Sequence, residues 1–190
     1  MKSNYYAVLS RMKNIYRWGL MRNTRRETLS EHSFEVAVIA HALGIINKER
    51  LGGSADPQLC ATAALFHDTS EIITGDMPTP VKYHNPEIRD AYKKVEKVAE
   101  EKLISMLPSD MQKSFSELYS PDEQTRKIIK AADRISALIK CIEETEMGNK
   151  EFAAAKKSIE KSVKDLKMQE ADIFLKEFID GFSLTLDEQK

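Results

Sequence analysis

Residues 56–75, DPQLCATAALFHDTSEIITG, combine a helix start, an apolar helical face and a helix end. Asp56 offers a side-chain acceptor to the first backbone N–H groups, and Pro57 suits the first helical position because it has no N–H to satisfy. Four residues recur at the spacing that places side chains on one helical face: Cys60, Ala63, Ala64 and His67. The stretch therefore predicts a helix over 57–74 that points His67 inward.

The same helix signals recur along the rest of the chain. An Asn-Pro pair at 85–86 and a Ser-Pro pair at 120–121 repeat the capping residue followed by proline, and Ser30 is the predicted cap of a further helix. Only 7 Gly and 6 Pro occur, and runs that alternate apolar and polar residues, as strands do, are absent. These signals predict an all-α fold with helices near 4–15, 30–49, 57–74, 86–107, 110–118, 121–147, 150–166 and 169–181.

No internal repeat, low-complexity tract or change of composition divides the sequence. At 190 residues the chain falls in the usual range for one domain, so we expect a single domain over residues 1–190. Two stretches, 16–29 and 75–85, lack helical signals, and the second contains two Pro and one Gly. We expect both to be loops, which carry functional sites more often than their share of residues.

The charge of the chain is balanced, with 29 Lys plus Arg against 30 Asp plus Glu and a net charge of -1. No broad positive field is available to bind a long polyanion, so we expect no nucleic acid polymer as a partner. The first residues, MKSNYYAVLSRMKNIYRW, lack the apolar run of a signal peptide, and no run of about 18 apolar residues follows. We expect a cytoplasmic protein with no membrane partner.

Polar residues interrupt the apolar faces of two predicted helices. His32 shares its face with three apolar residues, Val36, Ile39 and Leu43. Asp68 follows the inward His67, and Glu71 comes one helical turn later. Because a buried carboxylate is costly unless a cation pairs with it, these residues predict a site for one divalent metal: Co, Mn, Zn, Fe, Ni or Mg. The alternative is a pair of core histidines with satisfied hydrogen bonds.

A longer pattern carries a resemblance to a known family. The HD-domain metal-dependent phosphohydrolases have a similar pattern to this one: His67-Asp68, an earlier His32 in SEHS and a later Asp133 in KAADRISALIKC. Further stretches resemble the bacterial 5'-deoxynucleotidases of the YfbR-like branch: Arg17-Trp18, Met21-Arg22-Asn23, GDMPTPVKY at 75–83 and FSLTLDE at 182–188. The similarity extends over residues 5–188. Met77 stands where leucine is more usual, which removes no ligand.

The resemblance implies an HD-domain helical bundle that hydrolyses deoxyribonucleoside 5'-monophosphates to deoxynucleoside and phosphate, as a homodimer. It implies that one divalent cation is held by His32, His67, Asp68 and Asp133. It also implies that substrate contacts come from Arg17, Trp18, His32, Asp68, Asp76, Met77, Pro78, Thr79 and Asp133. Periodicity disagrees at Asp133, which lies about 170° from the dense apolar stripe of its helix and is predicted to be exposed. A second, shallower buried side of that helix is the alternative.

Four residues receive roles in the expected reaction. We expect Glu71 to handle the proton of the attacking water, and Asp76 either to protonate the leaving 5' oxygen or to hold the sugar hydroxyl. Arg17 has a planar fork of donors that matches phosphate. Trp18 has an apolar body suited to deoxyribose, where a 2'-hydroxyl would clash or lose its hydrogen bonds. The alternatives are a solvated glutamate, a surface arginine and a tryptophan that anchors the core.

Two other functions fit the same residues. The first is a different HD-type enzyme, either a phosphodiesterase or a deoxynucleotide triphosphohydrolase, although few cationic residues are available for a longer phosphate chain. The second is a nucleotide sensor without catalysis. Glu71 and Asp76 argue against the sensor, because binding alone requires neither carboxylate.

Overall fold

The computed structural model describes residues 2–82 and 84–189, and the side chain of Thr79 lies outside the description. Ten α-helices and no strand occur in this described part, which confirms the predicted all-α fold. The helices are α1 (Tyr5–Leu9), α2 (Leu29–Ile45), α3 (Pro57–Ala64), α4 (Glu71–Thr74), α5 (Thr79–Lys82), α6 (Pro86–Ser105), α7 (Ser109–Tyr119), α8 (Glu123–Glu146), α9 (Ala153–Lys164) and α10 (Gln169–Phe178). Short 3₁₀ or π turns occur at Ser10–Asn14, Ile46–Arg50, Lys150–Phe152 and Ile179–Ser183.

Two helices start where the sequence predicts. The Asp56 carboxylate accepts backbone N–H bonds from Gln58 (2.9 Å) and Leu59 (3.2 Å) at the start of α3. The Asn85 amide oxygen accepts the N–H of Ile88 at 2.7 Å and starts α6. Each cap satisfies backbone donors that have no partner within the helix.

Two other predicted starts are wrong by one or two residues. Thr28, rather than Ser30, caps α2, because the Thr28 N–H donates to the Glu31 carboxylate at 2.7 Å and the Glu31 N–H donates to Thr28 Oγ1 at 3.2 Å. This reciprocal pair is a capping box. Asp122, rather than Ser120, caps α8, since its carboxylate accepts a backbone N–H from the first turn at 2.9 Å.

The predicted helix over 57–74 is interrupted at 65–70, which corrects the sequence analysis. Backbone bonds in this segment join residues three apart, at N···O distances of 3.0 to 3.3 Å, and so wind the chain more tightly than an α-helix. Thr69 Oγ1 lies 2.9 Å from the carbonyl oxygen of Phe66 and 3.0 Å from the Tyr119 hydroxyl. These side-chain bonds compete with the regular helical pattern.

The two expected loops differ in their content. The segment before α2 contains no helix, and a single antiparallel bridge pairs Tyr16 with Thr28. The other expected loop, 75–85, contains the one-turn helix α5, which the sequence does not predict. The carbonyl of Pro78 accepts the N–H of Val81 at 2.8 Å and so forms this turn.

Backbone contacts divide the chain into two compact units. Unit 1 comprises the described residues up to Arg22, Arg26–Ser33 and Phe66–Pro121. Three buried residues form its core, Tyr5, Leu103 and Leu107. Partly buried apolar residues surround them: Val8, Leu9, Met106, Met111 and Phe115.

Unit 2 comprises Asn23–Arg25, Phe34–Leu65 and the described residues from Asp122 onward. Its core is apolar residues of α2, α3, α8, α9 and α10. Helix α8 is buried on two sides, because Ile129 and Ser136, on the face opposite its dense apolar stripe, are also buried. The expectation that Asp133 is exposed is therefore wrong, and this residue is partly buried on the second side. The single domain over 1–190 stays a prediction.

One helical stretch, Leu29–Arg50, is long and apolar enough to cross a membrane by length and composition. Of its most apolar window, 56% is buried inside the protein. A core helix has this property as well. The stretch also carries His32, which is fully buried.

Candidate active site

Three side chains of unit 1 converge, and we refer to His32, His67 and Asp68 as the His-Asp cluster. Asp68 Oδ2 lies 3.1 Å from His67 Nε2 and 3.6 Å from His32 Nε2. Within the described residues, one potential ligand atom from each of the three lies within 4.8 Å of the other two. Two imidazole nitrogens and a carboxylate oxygen at these distances fit a single divalent cation.

The charges around Asp68 favour its ionised form. Burial by itself would raise the pKa of Asp68, but the imidazoles of His67 and His32, together with Arg17, hold it well below its usual range. Arg17 Nη1 donates to Asp68 Oδ2 at 3.4 Å. The carboxylate is therefore available as an anionic ligand at neutral pH.

The interruption between α3 and α4 explains how adjacent residues reach the same point. In an α-helix, the side chains of His67 and Asp68 would point about 100° apart. The tighter turn brings their polar atoms together, and a chain of hydroxyl groups buttresses it. Tyr5 Oη lies 3.0 Å from Tyr119 Oη, which in turn lies 3.0 Å from Thr69 Oγ1.

Two further carboxylates of unit 1 lie in the electrostatic field of the cluster. Glu71 is 5% exposed, and burial, followed by the nearby charges of Asp68 and Asp76, raises its pKa to about 9. Burial also raises the pKa of Asp76, with Asp68 adding to the shift and Arg17 opposing it. Both groups therefore favour the protonated form more than an exposed carboxylate does, as groups that donate or relay protons often do.

Arg17 and Trp18 belong to the segment 16–28, which we call the arginine loop. The backbone N–H of Arg17 donates to the backbone carbonyl of Glu27 at 3.0 Å, next to the bridge between Tyr16 and Thr28. Trp18 has a backbone φ of 60°, in the left-handed region that few residues other than glycine adopt. Both side chains are partly buried, which excludes the interpretation of Arg17 as a freely solvated arginine.

Glu27 is a site residue that the sequence analysis missed. Its Oε2 accepts the indole N–H of Trp18 at 2.8 Å and lies 3.4 Å from Arg17 Nε. Its Oε1 lies 3.9 Å from His32 Nδ1. One signal was available, because Glu27 is the single acidic residue in the sequence of the arginine loop.

The segment after α4 supplies a cationic side chain. Lys82 Nζ donates to Glu96 at 2.7 Å and lies 4.8 Å from the centre of the Tyr92 ring. Burial would lower the pKa of Lys82, but the Glu96 carboxylate outweighs burial and raises it. Lys82 also contributes to the field at Glu71, where its charge lowers the pKa.

The remaining predicted site residues are not part of the His-Asp cluster. Asp76, Met77 and Pro78 are partly buried in the segment between α4 and α5. The prediction for Thr79 concerns a side chain outside the described part. Asp133 lies on α8 in unit 2, and its role as a ligand stays a prediction from the family motif.

Comparison with known proteins identifies the family. A family model described as "5'-deoxynucleotidase YfbR-like" matches residues 4–182. This chain belongs to the YfbR-like family. A 5'-deoxynucleotidase from Photorhabdus laumondii is 50% identical over 98% of this chain and 96% of its own length. One from Vibrio parahaemolyticus is 47% identical over 98% of both chains.

Solved structures agree with the fold of this YfbR-like protein. An HD-domain phosphohydrolase from Listeria innocua superposes with a TM-score of 0.82 at 28% identity, covering 94% of this chain and 88% of its own. A cyanophage S-2L HD phosphohydrolase, solved with dA and one catalytic Zn²⁺ ion, has a TM-score of 0.69 at 19% identity, over 95% and 98% of the two chains. At that identity the second match supports the fold alone.

These findings confirm the family, the all-α class and the enzyme class inferred from the sequence. The structure also provides a His-Asp cluster that fits a metal ion. The identity of the metal and the roles of individual residues are proposals.

Proposed function

We propose that this YfbR-like protein hydrolyses deoxyribonucleoside 5'-monophosphates to a deoxynucleoside and phosphate. The observation that carries the proposal is the His-Asp cluster in a chain with full-length 5'-deoxynucleotidase relatives. His32, His67 and Asp68 would hold one divalent cation, and Asp133 is the fourth proposed ligand on the strength of the family motif. Such a cation, when bound, supplies Lewis-acid stabilisation of phosphoryl charge and activates water.

We assign proton transfer, orientation of the phosphoryl group and contacts with the sugar to other residues of the chain. Glu71 holds a proton more tightly than an ordinary carboxylate, which supports its role in proton transfer with the attacking water. Arg17 orients the phosphoryl group through its guanidinium. Trp18 packs against the deoxyribose and excludes a 2'-hydroxyl. Asp76, Met77, Pro78 and Thr79 contact the sugar side of the substrate.

The two possible roles of Asp76, as an acid for the leaving group or as a ligand of the sugar hydroxyl, can be distinguished by changing the leaving group of the substrate. If Asp76 protonates the 5' oxygen, Asp76→Asn slows natural substrates far more than aryl phosphates, whose leaving group needs no proton. If it binds the sugar hydroxyl instead, the variant raises KM for nucleotides, and the aryl phosphate reaction is unchanged. Both rates come from the same phosphate-release assay.

The decisive experiment is a panel of ribonucleoside and deoxyribonucleoside 5'-monophosphates, assayed with Co, Mn, Zn, Fe, Ni or Mg added to metal-free protein. We expect phosphate release that favours the deoxy substrates, and its loss in His67→Ala. His41→Ala is a matched control, because His41 is exposed on the same helix as His32. Inorganic triphosphate released from deoxynucleoside triphosphates, or cleavage of phosphodiesters alone, would identify the other HD-type activities. Binding without turnover would identify a sensor.

We also propose that the protein is a cytoplasmic homodimer. We propose no nucleic acid polymer and no membrane as its partner. Phe34, Val38 and Ile45 are exposed along one face of α2, where a second copy would cover apolar surface. Light scattering coupled to size exclusion measures the mass directly. A monomer at micromolar concentration would contradict the dimer, and Phe34→Glu should produce one if this face is used.

A further inference from the structure

Glu27 lies between Trp18 of the arginine loop and His32 of the His-Asp cluster. On one side, Glu27 Oε2 accepts the Trp18 indole N–H at 2.8 Å and lies 3.4 Å from Arg17 Nε. On the other side, Glu27 Oε1 lies 3.9 Å from His32 Nδ1. The Glu27 side chain is 13% exposed, so water screens these interactions only weakly.

The backbone at Trp18 requires such an anchor. A φ of 60° is strained in a bulky residue, and it persists only where surrounding contacts determine it. Glu27 holds this turn at two points, since its backbone carbonyl accepts the Arg17 N–H at 3.0 Å and its carboxylate accepts the indole. The orientation of the indole is thereby fixed before any ligand arrives.

The His32 imidazole lies between two carboxylates. Its Nε2 faces Asp68 at 3.6 Å, and its Nδ1 faces Glu27 at 3.9 Å. At 3.9 Å the Glu27 carboxylate is beyond hydrogen-bond distance of Nδ1, so it acts on His32 through its charge, which favours a proton on Nδ1 and leaves Nε2 free as a ligand. Glu27 is therefore placed to orient His32 as well as Trp18.

We propose that Glu27 is a positioning residue that fixes the Trp18 indole against the sugar and orients His32 toward the metal. It acts through both residues and touches neither the metal nor the reacting phosphate. The sugar-selection part rests on the proposed function. The contact with Trp18 itself does not depend on that function.

Two substitutions distinguish the contact of Glu27 with the Trp18 indole from its effect on His32. Glu27→Ala removes the acceptor for the indole and the negative charge beside His32 and Arg17. Glu27→Gln keeps an amide oxygen that can accept the indole N–H, but it removes the charge. Glu31→Ala is the matched control, since the Glu31 carboxylate lies in the same stretch and bonds to Thr28 at the start of α2.

Three measurements test the proposal, the first two on the metal-loaded protein and the third on the metal-free protein. Trp18 is the only tryptophan, so intrinsic fluorescence and acrylamide quenching report on its surroundings alone. The ratio of kcat/KM for a deoxyribonucleoside over the matching ribonucleoside monophosphate reports on sugar selection. Titration of metal-free protein with Co²⁺ or Zn²⁺ reports on His32.

For Glu27→Ala we expect stronger quenching of Trp18, a deoxy-to-ribo ratio lowered by about tenfold, and weaker metal binding by about tenfold. For Glu27→Gln we expect quenching and a ratio close to wild type, with metal binding still weakened. Glu31→Ala should lower thermal stability and leave all three readouts unchanged. The selective rescue by glutamine distinguishes positioning from a general loss of structure.

Unchanged quenching and metal affinity in Glu27→Ala would overturn the proposal. Equal changes in Glu31→Ala would do the same, because they would mean that only local stability matters. If Glu27→Ala does not fold, failure of Glu27→Gln to preserve the wild-type fluorescence is the overturning result. If wild-type protein releases no phosphate from any monophosphate, the proposed function fails, and fluorescence and metal titration still decide the role of Glu27.

Discussion

At the scale of single residues, the environment of each carboxylate decides its protonation state. Asp68 and Glu71 both belong to the stretch around the His-Asp cluster, yet the pKa of Asp68 is lowered and that of Glu71 is raised to about 9. The imidazoles and Arg17 outweigh burial at Asp68, whereas burial dominates at Glu71. Two carboxyl groups in one site are thereby suited to different tasks, one as an anionic ligand and one as a proton carrier.

Glu71→Gln tests the proton-transfer role. The amide keeps the size of the side chain and cannot exchange a proton, so we expect kcat to fall by about 10²- to 10⁴-fold with little change in metal affinity. Phosphate release and metal titration measure the two effects separately. Glu100→Gln is the control, since burial raises the pKa of Glu100 as well, on α6. Activity of Glu71→Gln within tenfold of wild type would contradict the role.

The sequence predicted some of these residues and missed others for physical reasons. Helical periodicity placed His32 on the buried face of α2, because that face is set by local spacing. Glu27 was missed, because its importance arises from the turn that folds it back onto Trp18, and no periodic pattern exists in a loop. The partial burial of Asp133 was only the alternative to an exposed position, because a helix with two buried sides violates the assumption of one apolar stripe.

At the scale of elements, the interruption between α3 and α4 could not be predicted from local sequence. No Gly or Pro, the two residues that disfavour a helix most strongly, occurs in 65–70 to mark the interruption. The tight turn depends on Thr69, whose hydroxyl lies 3.0 Å from Tyr119, fifty positions away in the chain. A contact so distant in sequence leaves no periodic signal.

Thr69→Val tests whether this turn shapes the metal site. Valine keeps the shape and removes the hydroxyl next to Phe66 and Tyr119, so we expect a loss of about 1–2 kcal/mol in the free energy of unfolding and weaker metal binding. Thr62→Val is the control, because the Thr62 hydroxyl also donates to a backbone carbonyl, at 2.8 Å on α3. Equal metal affinity in both variants would show that the turn stabilises the fold without shaping the site.

A second element-scale feature joins 23–25 to α8 within unit 2. The fully buried Glu144 carboxylate accepts backbone N–H bonds from Thr24 (2.9 Å) and Arg25 (3.2 Å), and it pairs with the buried Lys140. Burial would raise the pKa of Glu144, but the hydrogen bonds from Lys140 and Thr24 lower it well below its usual value. The ionised form is therefore the form that stabilises the fold.

This assignment predicts a pH dependence of stability. A depressed pKa in the folded state stabilises fully above the unfolded value of about 4.5, and the stabilisation is lost as the pH falls toward the folded value. Glu144→Gln should therefore lower the free energy of unfolding by about 3 kcal/mol at pH 7, and the gap to wild type should narrow below about pH 4. Urea unfolding at pH 7, 4 and 3 measures this difference in the free energy of unfolding between wild type and variant. A gap independent of pH would contradict the assignment, and Lys140→Met added to Glu144→Gln should recover stability by removing the unpaired charge.

At the scale of the whole molecule, metal binding and folding are linked. A cation that binds the folded chain at 100 times its Kd adds about 2.7 kcal/mol, which for a chain of this size corresponds to a Tm higher by about 5–10 °C. We expect this increment with Co²⁺, Mn²⁺ or Zn²⁺, its reversal by a chelator, and its absence in His67→Ala. His41→Ala should retain it, because His41 is exposed and lies outside the His-Asp cluster. An equal increment in His67→Ala would place the cation elsewhere, and the catalytic assignment of the cluster would then be wrong even if the enzyme proved active.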